Sequence, residues 1–396
     1  MKASDLFVKC LENEGVRFVF GVPGEEVIDL LDSLSKSSQI SFITCRHEQG
    51  AAFMANVYGR LTGRAGVCLG TLGPGATNLI TGVADATLDR APVVAITGQT
   101  ELKNMHKEAH QFIDIVQLFR FITKWNTMIT KAETIPEIIS KAFMIAEKEK
   151  KGATHIELPS DVAQEEVEIE HFVMKKEYSP QRPDMKSIKK AVELIEKAKK
   201  PVIIAGNGVI RANASAELLR FVRKNNIPVV TTFMGKGSIS SREKLYTGTA
   251  GLQERDYVMC GIEPSDLIIT VGMDFVEYSP ERWSPRGNKG ILHIDFEYSE
   301  IDAYYTTRLD LIGDIKETLK LLNRYTNLRK DSSHSIRLKH FIDKELYSYS
   351  DDKSYPLKPQ KIVFDLRKAL NDDDILISDV GAHKLWLCRL YPVYKP

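Results

Sequence analysis

Short apolar runs rich in β-branched residues alternate along the chain with longer stretches whose apolar positions recur every three or four residues. The first spacing predicts buried strands and the second amphipathic helices. MKASDLFVKCLENEG reads as an opening helix, and Arg17 to Phe20 as a strand. The turn Gly21-Val22-Pro23-Gly24 follows, with a helix from about Glu25. The run 40 to 45 predicts a strand that stops at Arg46, His47 and Glu48, where a small-residue helix pattern begins at Gly50 and Ala51. Gly66 to Thr71 predicts the next strand, Gly73-Pro74-Gly75 a turn, and Ala76 to Leu88 a helix. Pro92 to Thr97 is a further strand, followed by a loop, a helix over 134 to 150 and a strand over Thr154 to Leu158. Strand and helix alternate throughout residues 1–165, which predicts a doubly wound domain on a parallel sheet.

The pattern breaks at Glu165 to Met185, a polar stretch punctuated by Pro180 and Pro183, so residues 166–185 read as a linker. A second α/β unit is predicted over 186–325. Its elements are a helix over 186 to 199, strands at Pro201 to Ala205, Ile227 to Thr231, Asp266 to Val271 and Ile291 to Asp295, and a helix from Ile315 to Leu322. Residues 326–358 read as a polar connection with one amphipathic helix bearing Ile336, Phe341 and Leu346. In 359–396 a helix with Ile362, Phe364, Leu366 and Leu370 leads to a strand over Ile375 to Ser378 and then to Asp379-Val380-Gly381-Ala382-His383.

Composition changes this picture little. The 396 residues carry 54 basic and 53 acidic side chains, a formal net charge of +1, which gives no electrostatic footprint for nucleic acid or an anionic membrane. The five cysteines never fall in CxxC spacing, so neither a disulfide framework nor a zinc site is readable, and a reducing cytoplasm is expected. No apolar run is long enough to span a bilayer.

Candidate chemistry gathers at strand-to-helix junctions, because ligands of open α/β sheets sit outside the carboxyl ends of the strands. Glu48 stands at such a rim, although an acid in a first helical turn is also favoured by the helix dipole. GTLGPGATN, Gly70 to Asn78, is either a phosphate cradle or a tight turn; it lacks the lysine of a P-loop. GNGVIR at 206 to 211 is a weak dinucleotide fingerprint with Arg211 in place of the third glycine, and reads better as a tight turn. A nucleotide-dependent dehydrogenase would rest on that motif alone.

FGVPGEE at 20 to 26, RHEQGAAFMA at 46 to 55, GTLGPGATN at 70 to 78, DRAPVVAITGQ at 89 to 99 and HIELPSDV at 155 to 162 together resemble the thiamine diphosphate enzymes of the acetolactate synthase and pyruvate oxidase group. The resemblance implies tandem doubly wound domains: a pyrimidine-binding domain over 1–165, a Rossmann-like central domain over 186–325, and the truncated start of a diphosphate-binding domain over 359–396. It makes Glu48 the carboxylate that hydrogen-bonds N1′ of the cofactor's aminopyrimidine and drives its imino tautomer. It sets Gly21, Val22, Pro23 and Gly24 at the reacting centre, Pro74 and Asn78 against the pyrimidine, and Gly381 and His383 at the diphosphate end.

Gln111, within HKEAHQFIDIV, takes the place of a polar residue that contacts substrate in acetolactate synthases; His106 and His110 read as ordinary loop histidines. The resemblance further implies pyruvate and a second 2-keto acid as substrates, a homodimer or dimer of dimers, and Mg²⁺ whose ligands lie outside this sequence. FAD is doubtful, since Gly272 to Pro280 carries no arginine. The expected activity is that of an acetolactate synthase-like carboligase; a non-catalytic truncated homologue and a pyruvate oxidase are the alternatives. Residues beyond about 355 are expected to be poorly ordered or irregularly packed.

Overall fold

The most apolar runs of the first segment become the central strands of a sheet, because a parallel strand covered on both faces needs apolar side chains on both. In the computed structural model, residues 1–168, 179, 181–250 and 257–396 are described. They form two compact units, Met1–Tyr178 and Ser179–Pro396. Most of the linker expected over 166–185 lies outside the described residues.

The first unit runs α1 (Ala3–Asn13), β1 (Phe18–Gly21), α2 (Ile28–Lys36), β2 (Ser41–Thr44), α3 (Glu48–Thr62), β3 (Gly66–Gly70), α4 (Pro74–Leu88), β4 (Val93–Gln99), α5 (Ile115–Phe119), β5 (Trp125–Met128), α6 (Ile135–Glu147), β6 (Ala153–Pro159) and α7 (Ser160–Gln164). Its six strands are all parallel, in the order β2-β1-β3-β4-β6-β5. Every residue of β3, β4 and β6 is buried, whereas the edge strand β2 is only partly so. Each fully buried large aliphatic side chain contributes about 1.5–3 kcal/mol. The expected loop between β4 and α6 contains the strand β5, too short and mixed in polarity to show in the pattern. The chain direction across the sheet reverses between β1 and β3, so the crevice at their carboxyl ends is the switch point where such sheets take ligands.

The second unit runs α8 (Met185–Lys197), β7 (Pro201–Ala205), α9 (Gly208–Arg211), α10 (Ser215–Asn225), β8 (Val229–Thr231), β9 (Tyr246–Thr249), α11 (Tyr257–Ile262), β10 (Leu267–Val271), α12 (Pro280–Trp283), β11 (Gly290–Asp295), β12 (Thr307–Ile312), α13 (Ile315–Tyr325), α14 (Ser333–Tyr347), α15 (Pro359–Ala369) and α16 (Ala382–Leu390). Its sheet is also parallel, in the order β12-β11-β10-β7-β8-β9. That is the dinucleotide-binding order, with its switch point between β7 and β10. β9 and β12 were not foreseen, because TGT and TRLD interrupt the apolar pattern that marks the inner strands.

The last residues depart from expectation in two ways. Ile375 to Ser378 is not a strand: it pairs with no strand among the described residues, and Ile375 is 79% and Ile377 88% exposed. The rest is more regular than expected, since α15 and α16 close over a small cluster of Leu346, Val363, Leu390 and Tyr391. On α14 the buried apolar residues are Leu338 and Leu346, while Ile336 and Phe341 face water.

Candidate active site

Three strand ends of the first unit deliver three turns to one crevice. β1 ends at Gly21 and runs into Val22, Pro23 and Gly24; β2 ends just before Arg46, His47 and Glu48; β3 runs into Thr71 and the Gly73-Pro74-Gly75 turn. The Cys45 N–H donates to the Gly21 carbonyl at 2.8 Å and the Val22 N–H to the Leu69 carbonyl at 3.4 Å, which stitches the turns together.

Glu48 is the first residue of α3. His47 caps that helix, its ring Nδ1 accepting from the Gln49 N–H at 3.1 Å. Arg46 and His47 are exposed, but Glu48 is 8% exposed. The Asn78 side-chain amide, one turn into α4, donates to Glu48 Oε2 at 2.9 Å. Glu48 Oε1 accepts no hydrogen bond from any described residue. That leaves Oε1 free to accept from a group that enters the crevice.

The glycines let the turns pack closely around Thr71. A Cβ on Gly75 would lie 2.7 Å from Thr71 Cγ2 and 3.5 Å from Glu48 Oε1, and one on Gly24 would lie 2.4 Å from Thr71 Cβ. Gly73 has φ +52°, a conformation that side chains rarely adopt, and a Cβ there would meet the Gln111 carbonyl at 2.6 Å. Gln111 itself is exposed with φ +54°, so its strained backbone lies against the Gly73 turn. Pro74 starts α4 and is exposed.

Several polar residues of this site were not singled out from the sequence. Thr71 Oγ1 donates to Glu26 Oε2 at 2.8 Å, fixing the Gly24 turn against β3. Gln99, at the end of β4, donates to Glu157 Oε1 at 2.6 Å and to the Ile113 carbonyl at 3.1 Å, which ties down the loop that carries Gln111. Burial pushes the Glu157 carboxyl up to about 7, and the Asp114 charge adds to this while the Gln99 hydrogen bond opposes it. Both residues lie inside the quoted stretches DRAPVVAITGQ and HIELPSDV; a polar residue at a strand end for Gln99, and an acid within a strand-forming run for Glu157, were the available signals. His106 and His110 are exposed and make no hydrogen bond among the described residues.

Gly381 and His383 belong to the second unit, at the start of α16, both exposed; a Cβ on Gly381 would meet the His383 ring at 2.8 Å. Among the described residues no group of three or more His, Cys, Asp or Glu is placed to hold a metal ion, and no helix is long and apolar enough to cross a membrane.

Comparison with known proteins adds a second line of evidence. The family profile of the thiamine pyrophosphate enzyme N-terminal TPP binding domain matches residues 1–118, and that of the thiamine pyrophosphate enzyme central domain matches residues 188–322. Over its whole length the chain is 37% identical to a probable acetolactate synthase large subunit of Methanococcus aeolicus, spanning 70% of that protein. It is also 37% identical to a probable acetolactate synthase large subunit of Methanocaldococcus jannaschii, spanning 69% of it. To the acetolactate synthase of Bacillus subtilis it is 33% identical, spanning 70%.

Proposed function

The chain belongs to the thiamine pyrophosphate enzymes, as a member of their acetolactate synthase group, and from that premise we propose that it joins pyruvate to a second 2-keto acid with Glu48 as the activating carboxylate. The observation that supports this reading best is the half-satisfied carboxylate of Glu48 at the β1/β3 switch point, held on one oxygen by Asn78. When bound, thiamine diphosphate supplies the electron sink through which a 2-keto acid loses CO₂ and passes on its remaining carbons.

The residues fit that group. Glu48 Oε1 would be the acceptor for a protonated pyrimidine ring nitrogen, and burial would strengthen that bond by excluding water. Asn78 keeps the carboxylate from rotating away. Gly21, Val22, Pro23 and Gly24 on one side and Pro74 on the other would be the walls against the ring, with Gly24 and Gly75 letting both turns pack on Thr71. Gln111, beside the Gly73 turn, is the residue proposed to meet the substrate's polar end. Gly381 and His383, in the second unit, would serve the diphosphate end of a cofactor, which Mg²⁺, a cation that prefers carboxylate, carbonyl and phosphate oxygens, would accompany.

The partner is a second copy of this chain. Phe53, Met54, Val57 and Leu61 of α3 are 37%, 42%, 51% and 75% exposed and share one face of the helix by their spacing. A contiguous apolar face of this kind is what an interface between copies buries. The five cysteines are free thiols, in keeping with a reducing cytoplasm.

Calorimetric titration with thiamine diphosphate in Mg²⁺ of a chain that includes the Mg²⁺ ligands expected outside this sequence, followed by assay of acetolactate formed from pyruvate, tests the proposal. Saturable, Mg²⁺-dependent binding with turnover supports it. Binding without turnover overturns the catalytic assignment, and no binding overturns the site itself.

A further inference from the structure

The second unit has the dinucleotide-binding strand order, and its Gly206-Asn207-Gly208 turn follows β7 at the switch point, where that fold receives a diphosphate on backbone N–H groups. In this chain those groups are already engaged. Glu277, in the segment after β10, accepts from the Asn207 N–H at 3.1 Å through Oε1 and 3.3 Å through Oε2. It also accepts from the Asp274 N–H at 3.4 Å and from the Thr232 hydroxyl, which is aimed by accepting the Gly235 N–H at 3.1 Å. The Glu277 N–H donates to the Asp274 carbonyl at 3.0 Å, so a tight local turn points the carboxylate inward.

The space is closed as well. A Cβ on Gly206 would lie 2.3 Å from the Gly272 carbonyl oxygen, and one on Gly208 would lie 2.6 Å from Gly272 Cα. The Gly208 N–H donates to the Gly272 carbonyl at 2.8 Å. The two turns at the switch point are thus in direct backbone contact, with no gap for a diphosphate between them. Arg211, where the third fingerprint glycine would stand, forms a buried ion pair with Asp274 at 3.3 Å. The glycines therefore serve backbone packing and not ligand approach.

We infer that Glu277 is an internal substitute for a dinucleotide diphosphate, and that this unit carries neither a flavin nor a nicotinamide dinucleotide. The Glu277 carboxyl on the Asn207 turn takes up the donors that a diphosphate would otherwise require. Burial holds the carboxyl near neutrality, raised to about 7, with Thr232, Asn207 and Arg211 favouring the charged form and Asp274 opposing it.

The test uses the whole chain. Flavin fluorescence after denaturation of the purified protein should be absent, and FAD or NAD at concentrations up to about 1 mM should leave its melting temperature unmoved, since a ligand that binds only the native state must raise it. Stoichiometric co-purifying flavin, or a rise in melting temperature with either dinucleotide, overturns the inference. In Glu277→Ala the donors of Asn207 and Thr232 lose their acceptor, so the variant should melt lower than Glu277→Gln, which retains an amide oxygen. Equal melting temperatures for these two variants and the wild type would show that the carboxylate holds nothing, and would equally overturn it. The dinucleotide titration of the wild type decides the matter even where the alanine variant does not fold.

Discussion

The side-chain amide of Asn78 donates to Glu48 Oε2 at 2.9 Å across 30 residues of sequence, joining the first turn of α3 to the first turns of α4. Two helices that begin after different strands are thereby locked at their N-terminal ends. The bond orients Glu48 without consuming its second oxygen.

Glu48→Gln should lower acetolactate formation by about 10²–10⁴-fold, the range for loss of a positioned proton-transfer group, with little change in melting temperature. Asn78→Ala should give a smaller loss, about tenfold, because the carboxylate remains but is no longer held. Steady-state kinetics with circular dichroism as a folding control separate these outcomes; an Asn78→Ala enzyme with wild-type kcat would refute the orienting role.

Gly24→Ala places a methyl 2.4 Å from Thr71 Cβ, an atom that cannot swing aside because it is fixed to the backbone. The turn must move, at a cost of about 1–3 kcal/mol. Thr71→Gly in the same chain should recover part of that loss, and a thermal-denaturation double-mutant cycle measures the coupling.

His155 is fully buried, its ring stacked on Phe119 at 4.1 Å between centroids and its Nε2 paired with Thr97 Oγ1 at 2.8 Å. Burial lowers its pKa from 6.5 to about 3, so the folded state resists protonation that the unfolded chain accepts. Stability from this residue is present above pH 6.5 and is lost as the pH falls toward 3. Melting temperatures recorded across that interval should fall less steeply for His155→Gln than for the wild type.

Glu157 has the opposite sign. Its pKa is raised from 4.5 to about 7, so its contribution is complete below 4.5 and is lost as the pH rises through 7. Glu157→Gln keeps an acceptor for Gln99 and carries no charge to bury. It should melt higher than the wild type above pH 7, with the advantage vanishing as the pH approaches 4.5.

Val57→Asp combined with Leu61→Asp adds charge to the exposed face of α3 without touching the core. Sedimentation should show the variant as a monomer where the wild type is an oligomer, with unchanged circular dichroism. An unchanged sedimentation coefficient rules out this face as the contact between copies.

Much of the candidate site is a local pattern in the sequence. Glu48, the Gly21 to Gly24 turn and Gly73 to Asn78 each follow an apolar run, and a strand followed by a glycine turn is a local pattern. Gln111 was legible only through its neighbours HKEAHQFIDIV, since nothing local shows that its backbone rests on Gly73. Thr71 with Glu26 and Gln99 with Glu157 were missed, because each pair joins different strands and either member alone is an ordinary polar residue.

By itself the sequence determined the two parallel α/β units, the inner strands and the junctions where chemistry sits, since hydrophobic periodicity is a property of neighbouring residues. Only the tertiary structure decided which junctions meet. Strand order brings the ends of β1, β2 and β3 together around Glu48 and closes β7 against β10 through Glu277. It also left Ile375 to Ser378 unpaired, because a strand exists only where another strand accepts its backbone hydrogen bonds.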